Sequence, residues 1–179
     1  MSARRALLRA HLVALALAAA LLPGCGFKPV STAALPFQTL YVSTGAYNSF
    51  GGEFRRFVES NSRTTRMADT PAGADAILEI LSERQEQQIL SLSAKGTVQE
   101  YLLRYRVVFR LKDKAGRELI PRDTIVLERD LTYDADVVLA KENETAFLFR
   151  DMQMDAVQQL IRRLSMAKYD APPAAASGG

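Results

Sequence analysis

Tyr101-Leu102-Leu103-Arg104-Tyr105-Arg106-Val107-Val108-Phe109-Arg110-Leu111-Lys112 is the stretch on which the fold turns. Its odd-numbered positions are Tyr101, Leu103, Tyr105, Val107, Phe109 and Leu111, and its even-numbered ones include Arg104, Arg106, Arg110 and Lys112. Successive side chains of a strand point to opposite faces, so this alternation predicts a half-buried strand with an apolar inner face and a basic outer one. Asp113-Lys114-Ala115-Gly116 then supplies a turn ending in glycine, and residues 119–133 return as the second arm of a hairpin. Ile125, Leu127, Leu131 and Tyr133 share its inner face, on which Arg129 intrudes.

Upstream, Leu40-Tyr41-Val42-Ser43 reads as a short first strand, with Gly45, Asn48 and Ser49 as turn and helix-start residues. Phe50, Phe54, Phe57 and Val58 form one helical stripe, with Arg55, Arg56 and Glu59 on the solvent side. Such a stripe is what a helix needs to dock on a sheet. Residues 60–74, polar and containing Pro71 and Gly73, predict a connection. A long strand follows from Ala76; its wholly polar middle, residues 83–88, marks a strand that outgrows the core. Downstream, residues 134–141 predict a loop. A helix over 142–166 repeats Leu148, Met152, Ala156, Leu160 and Leu164, with Val157 and Ile161 beside them. Glu142 and Glu144 would sit in its first turn, with Arg162, Arg163 and Lys168 near its last, as the helix dipole favours. The order βαβββα predicts an α+β two-layer sandwich in which two helices cover one face of a four-stranded sheet.

At 179 residues with 48% hydrophobic and 24% charged, the chain suits one globular domain and neither a disordered chain nor a polytopic membrane protein. Arg4, Arg5 and Arg9 precede a short apolar run over 12–22, the order of a secretory signal peptide. A spanning helix takes about 20 apolar residues, so the run is too short to cross a membrane. Leu22-Pro23-Gly24-Cys25 follows and resembles the lipobox of bacterial lipoproteins, with leucine at −3 and a small residue at −1. That resemblance implies cleavage before Cys25 and acylation of Cys25. Gly26, rather than aspartate, comes next, which points to the outer membrane. The expected organisation is a cleaved signal over 1–24, a lipidated tether over 25–37, an α/β domain over 38–169 and a disordered tail over 170–179.

The only histidine and the only cysteine, His11 and Cys25, both lie in the N-terminal region. The body therefore lacks the residues for Ser-His-Asp or Cys-His catalysis and for zinc or iron-sulfur ligation. No glycine-rich phosphate motif is present, and Gly51-Gly52 is too short to cradle a phosphate. No enzyme, metal or cofactor is expected. Asp130, Asp134 and Asp136 are the nearest carboxylate cluster for a glycosidase, and a solvated loop also explains them.

Removing Arg4, Arg5 and Arg9 from the 23 basic residues leaves 20 against 20 acidic ones, so bulk attraction to nucleic acid loses its support. The remaining charge is segregated, with basic residues over 101–117 and acidic ones over 128–144. Arg104, Arg106, Arg110 and Lys112 are the candidate ligand contacts, since guanidinium groups at two-residue steps can meet phosphates or carboxylates. The same row would equally form a solvated face with cross-strand pairs to acids such as Glu128 and Asp130. No aromatic platform interleaves it, against single-stranded nucleic acid.

From Cys25-Gly26-Phe27 to about Leu164 the chain resembles the LptE family of lipopolysaccharide-assembly lipoproteins. The likeness is strongest in the 101–107 stretch, in Arg129-Asp130-Leu131-Thr132-Tyr133-Asp134, in Val138-Leu139-Ala140 with Glu144, and in residues 154–164. Lys28-Pro29-Val30 departs from the polar run of many relatives. The resemblance implies a non-enzymatic role: a lipoprotein anchored on the periplasmic side of the outer membrane, plugging the LptD β-barrel and helping to place lipopolysaccharide in the outer leaflet. Lipopolysaccharide binding by Arg104, Arg106, Arg110 and Lys112 is an expectation from the alternation alone. The alternative is an auxiliary lipoprotein of a phospholipid-transport system, separated from the first by its partner.

Overall fold

The computed structural model describes residues 34–44 and 49–169. The expected signal peptide, Cys25, most of the tether, Gly45 and Asn48 of the first turn, and the tail lie outside them. The described elements are β1 (Thr39–Thr44), α1 (Ser49–Asn61), β2 (Arg66–Met67), β3 (Ala76–Leu92), β4 (Val98–Asp113), β5 (Glu118–Thr132) and α2 (Val138–Ser165). The sheet order is β2-β1-β3-β4-β5; β1 runs parallel to both neighbours, and β3, β4 and β5 form an antiparallel meander.

The α+β sandwich is as expected, but the sheet has five strands rather than four. Arg66 and Met67, in the predicted connection, pair with Thr39 and Leu40 at the edge. Two residues carry no hydrophobic period, so nothing local marks them as a strand. Leu35 and Phe37 are also corrected: the sequence reading left them in the tether, whereas both are buried in the core, Phe37 edge-on to Tyr169.

One sheet face carries the core. Leu103, Tyr105, Val107, Phe109 and Leu111 of β4 are buried, as the alternation predicts, with Ile125 and Leu131 of β5 and Leu78 of β3. From above, α1 contributes Phe50, Phe54 and Val58, with Phe57 half-buried, and α2 contributes Met152, Ala156, Val157, Leu160, Ile161 and Leu164. At Gly51 the helix comes so close to β1 that an added Cβ would lie 2.0 Å from Thr44 Cγ2 and 3.4 Å from Val42 Cγ1. Gly116, at φ 85°, supplies the left-handed residue of the β4–β5 turn. Asp113 builds that turn by accepting from the Ala115 and Arg117 N–H groups at 2.9 and 2.8 Å.

α2 begins at Val138, not Glu142, so Glu142 and Glu144 lie beyond its first turn. A 3₁₀ turn, Ala135–Val137, starts it, closed by the Asp134 carboxylate accepting from the Asp136 N–H. The sequence pattern misses this start because no residue before Met152 is buried: Val138, Leu139 and Phe147 are exposed. The β3–β4 hairpin overhangs in the same way, with Ile89, Leu90 and Leu92 exposed.

A polar seam closes the core where the overhang begins. Glu83 Oε1 accepts from Tyr105 Oη at 2.6 Å and from Ser49 Oγ at 2.9 Å, and Oε2 accepts from the Phe50 N–H at 3.0 Å. Gln153 Nε2 donates to Ser49 Oγ, so one carboxylate links β3, β4 and both helices. It also places an anion at the N-terminus of α1, where the helix dipole favours one.

The free edge of β5 is guarded. Tyr133 N–H donates to the Gln99 carbonyl, which sets the odd-numbered residues of this stretch toward β4 and the even-numbered ones outward. The outward carbonyls of Thr124 and Glu128 accept from the guanidinium groups of Arg163 and Arg129 at 3.1 and 3.0 Å.

Candidate functional site

The uncovered sheet face holds all four basic residues predicted from the alternation, together on β4, but in unlike states. Arg104 Nε donates to Glu128 Oε1 at 2.6 Å, with Glu86 at 3.8 Å on the other side. Arg110 donates to Glu79 and lies 3.7 Å from Glu118; Lys112 Nζ donates to Glu79 Oε1 at 3.2 Å. These three form the cross-strand ladder that the sequence left open as one reading, although Asp130 sits opposite Leu102 and takes no part in it. Burial pushes the Glu79 carboxyl up, but the hydrogen bonds from Arg110 and Lys112 outweigh it and hold Glu79 below its ordinary range.

Arg106 differs. It is exposed, has no ion-pair partner among the described residues, and lies directly opposite Arg84 across β3. Like charges opposed on a strand pair repel, so the pair is a positive site, with Glu86 4.0 Å from Arg84 Nε and shared with Arg104. Val126, on its other side, is half-exposed, and Val108, two residues along, is buried. Two forked donors beside an apolar strip can take an amphiphilic anion such as a phosphorylated lipid headgroup. Arg84 escaped the sequence reading because a bulge between Ile80 and Ser82 shifts β3 by one residue. Without the bulge Arg84 would face the helices; with it, Arg84 joins Arg106 and Glu83 turns inward to the seam.

On the helix-bearing face a cleft of about 430 Å³ opens between the hairpin overhang and the first half of α2, lined among others by Gln85, Gln87, Tyr101, Tyr133, Lys141 and Phe149. Tyr101 and Tyr133 meet edge to face, their ring centres 5.2 Å apart. Nothing in the residue pattern marks this constellation beyond the polar middle of β3. Of the three aspartates of the carboxylate cluster, Asp130 is on the open face, while Asp134 and Asp136 share the 3₁₀ turn, Asp134 accepting from the Asp136 N–H. Among the described residues no helix is long and apolar enough to cross a membrane.

Known proteins share this fold. The family model described as LptE, lipopolysaccharide-assembly, matches residues 37–164. The solution structure of an uncharacterized lipoprotein B from Nitrosomonas europaea is 35% identical and superposes with a TM-score of 0.69, covering 76% of this chain and 87% of that one. Rare lipoprotein B from Shewanella oneidensis shares the fold at 23% identity and a TM-score of 0.62, covering 72% of this chain and 94% of that one. A minor lipoprotein from Acinetobacter baumannii does so at 21% and 0.60, covering 78% and 100%. No curated protein sequence matches the chain.

Proposed function

The chain belongs to the LptE lipopolysaccharide-assembly family, and from that membership we propose that it is an outer-membrane lipoprotein that plugs and supports the LptD barrel. The single observation that carries this reading is the family match over residues 37–164, which takes in the whole described sandwich. The role is non-catalytic: binding, positioning and assembly. Cys25 carries the anchor, as its lipobox-like context and the lipoprotein relatives support. Several acyl chains there would hold the protein on the periplasmic side of the membrane.

Lipopolysaccharide contact falls to the basic row of β4. Arg106 offers phosphate a guanidinium with no ion-pair partner among the described residues, and Arg84 opposite, 4.0 Å from Glu86, adds a second. Arg104, Arg110 and Lys112 flank them and would exchange an acidic partner for the ligand.

The test is purification of the lipidated protein from detergent-solubilised membranes. Stoichiometric recovery of a large outer-membrane barrel is the expected result. Recovery of an inner-membrane transporter without the barrel would overturn the assembly role in favour of a phospholipid-transport subunit. For the ligand, Arg84→Glu with Arg106→Glu should weaken lipopolysaccharide binding more than Arg110→Glu does. Equal binding by all variants sinks the assignment to Arg106.

A further inference from the structure

The cleft on the helix-bearing face has a chemistry unlike that of the arginine row on the opposite face. Gln85 and Gln87 stand two residues apart on β3, and Tyr101 and Tyr133 meet edge to face at 5.2 Å. The two side-chain amides and two phenol hydroxyls have no hydrogen-bond partner among the described residues. Lys141, the cation on the wall, is already bonded to Glu144 at 2.8 Å, so no free positive charge invites an anion. An acyl chain would desolvate four unpartnered polar groups without compensation. A peptide strand cannot enter the floor of the cleft, where β3 and β4 are hydrogen-bonded to each other with Gln85 opposite Tyr105 and Gln87 opposite Leu103; the outer edge of β3, which β1 pairs only as far as Ile80, lies in the plane of the sheet and not on the cleft's face.

Glu142 also lines the cleft, a carboxylate that accepts from hydroxyls and disfavours an anion, so what remains is a ligand read by hydrogen-bond donors and acceptors and by apolar ring surface. Each amide brings two donors and an acceptor, and each phenol brings one donor and an acceptor, a set that matches adjacent hydroxyls. Phe149 and the tyrosine rings supply faces and edges on which a ring's C–H surface can rest. The volume lies in the range of small-ligand sites. We infer that this cleft binds an uncharged saccharide. The inference deepens the assembly reading, and the choice of sugar rests on it: the oligosaccharide part of a lipopolysaccharide, met on a different face from its phosphates.

The test titrates the full-length lipidated protein, in detergent micelles, with neutral oligosaccharide from the bacterium's own lipopolysaccharide, freed of acyl chains, phosphate and acidic sugars. Calorimetry and saturation-transfer NMR read the binding. The expected result is binding that Gln85→Ala with Gln87→Ala weakens about tenfold and Tyr133→Phe weakens by a smaller factor, through lost hydrogen bonds. Arg122→Ala, outside the lining of the cleft, should leave it unchanged. The glutamines are exposed and Tyr133→Phe removes one hydroxyl, so thermal melting should confirm intact folding in all variants. Binding insensitive to both cleft variants overturns the inference, as does absence of binding by protein that still retrieves the barrel. Cleft-dependent binding without a barrel supports the saccharide site and removes the assembly reading instead.

Discussion

The two ends of β4 make a natural comparison. From Leu103 to Leu111 every inward residue is buried under α2, whose own buried residues run from Met152 to Leu164. Toward Val98 the same strand, its hairpin partner and the first half of α2 bury nothing fully, yet they keep regular secondary structure. The Glu83 seam marks the border between the two ends. The difference teaches that regular backbone and core membership are separate properties: hydrogen-bonded strands and a helix can be carried beyond the core as working surface.

The largest expected effect falls on the packed end. Phe109→Ala should cost about 3–5 kcal/mol in denaturant unfolding, whereas Ile89→Ala or Leu139→Ala in the overhang should change stability by less than about 0.5 kcal/mol. Similar losses at both ends would break the comparison. Next comes the border: Glu83→Ala leaves the Tyr105 hydroxyl without its acceptor and should cost about 1–3 kcal/mol. Burial, and then the hydrogen bond to Glu83, push the Tyr105 phenol far above its ordinary value, so it keeps its proton and donates at all physiological pH. Gly51→Ala should cost a comparable or smaller amount, about 1–3 kcal/mol, because turning Thr44 relieves one contact and leaves Val42.

The smallest effect is a pH dependence. Glu79 and Asp113 are both depressed in the folded state. For Asp113, burial acts upward, but donation from the Arg117 and Ala115 backbone and from the Arg117 guanidinium prevails. The unfolded chain therefore binds more protons below its ordinary carboxylate values, about pH 4. Their contribution is full above that value and is lost as pH falls through the lower folded ones. Thermal melts of Glu79→Gln should show a shallower acid slope than those of the parent, and an unchanged slope would remove Glu79 from that role.

How legible all this was in the sequence follows the same division. Tyr101 to Leu111 and Met152 to Leu164 could be read because burial on one face imposes a period. Val138 to Asp151 could not be bounded, since apolar residues such as Leu139 and Phe147 are exposed among the described residues and no burial imposes a period there. The basic row was visible as a row, but which arginine is unpaired was not. That depends on the bulge after Ile80, which sets the register between β3 and β4 and is not encoded by any nearby glycine or proline.

The guarded edge of β5 has a consequence for crowding. An anchor at Cys25 would confine copies to a plane, where encounters between them become frequent. An unprotected edge of 15 residues would then be a zipper tape, with each collision a chance to fasten two sheets into one. The guanidinium groups on Thr124 and Glu128 occupy two teeth of that tape. Along this edge, copies so confined could meet and part again, and a strand-rich partner would have to be recognised by side chains.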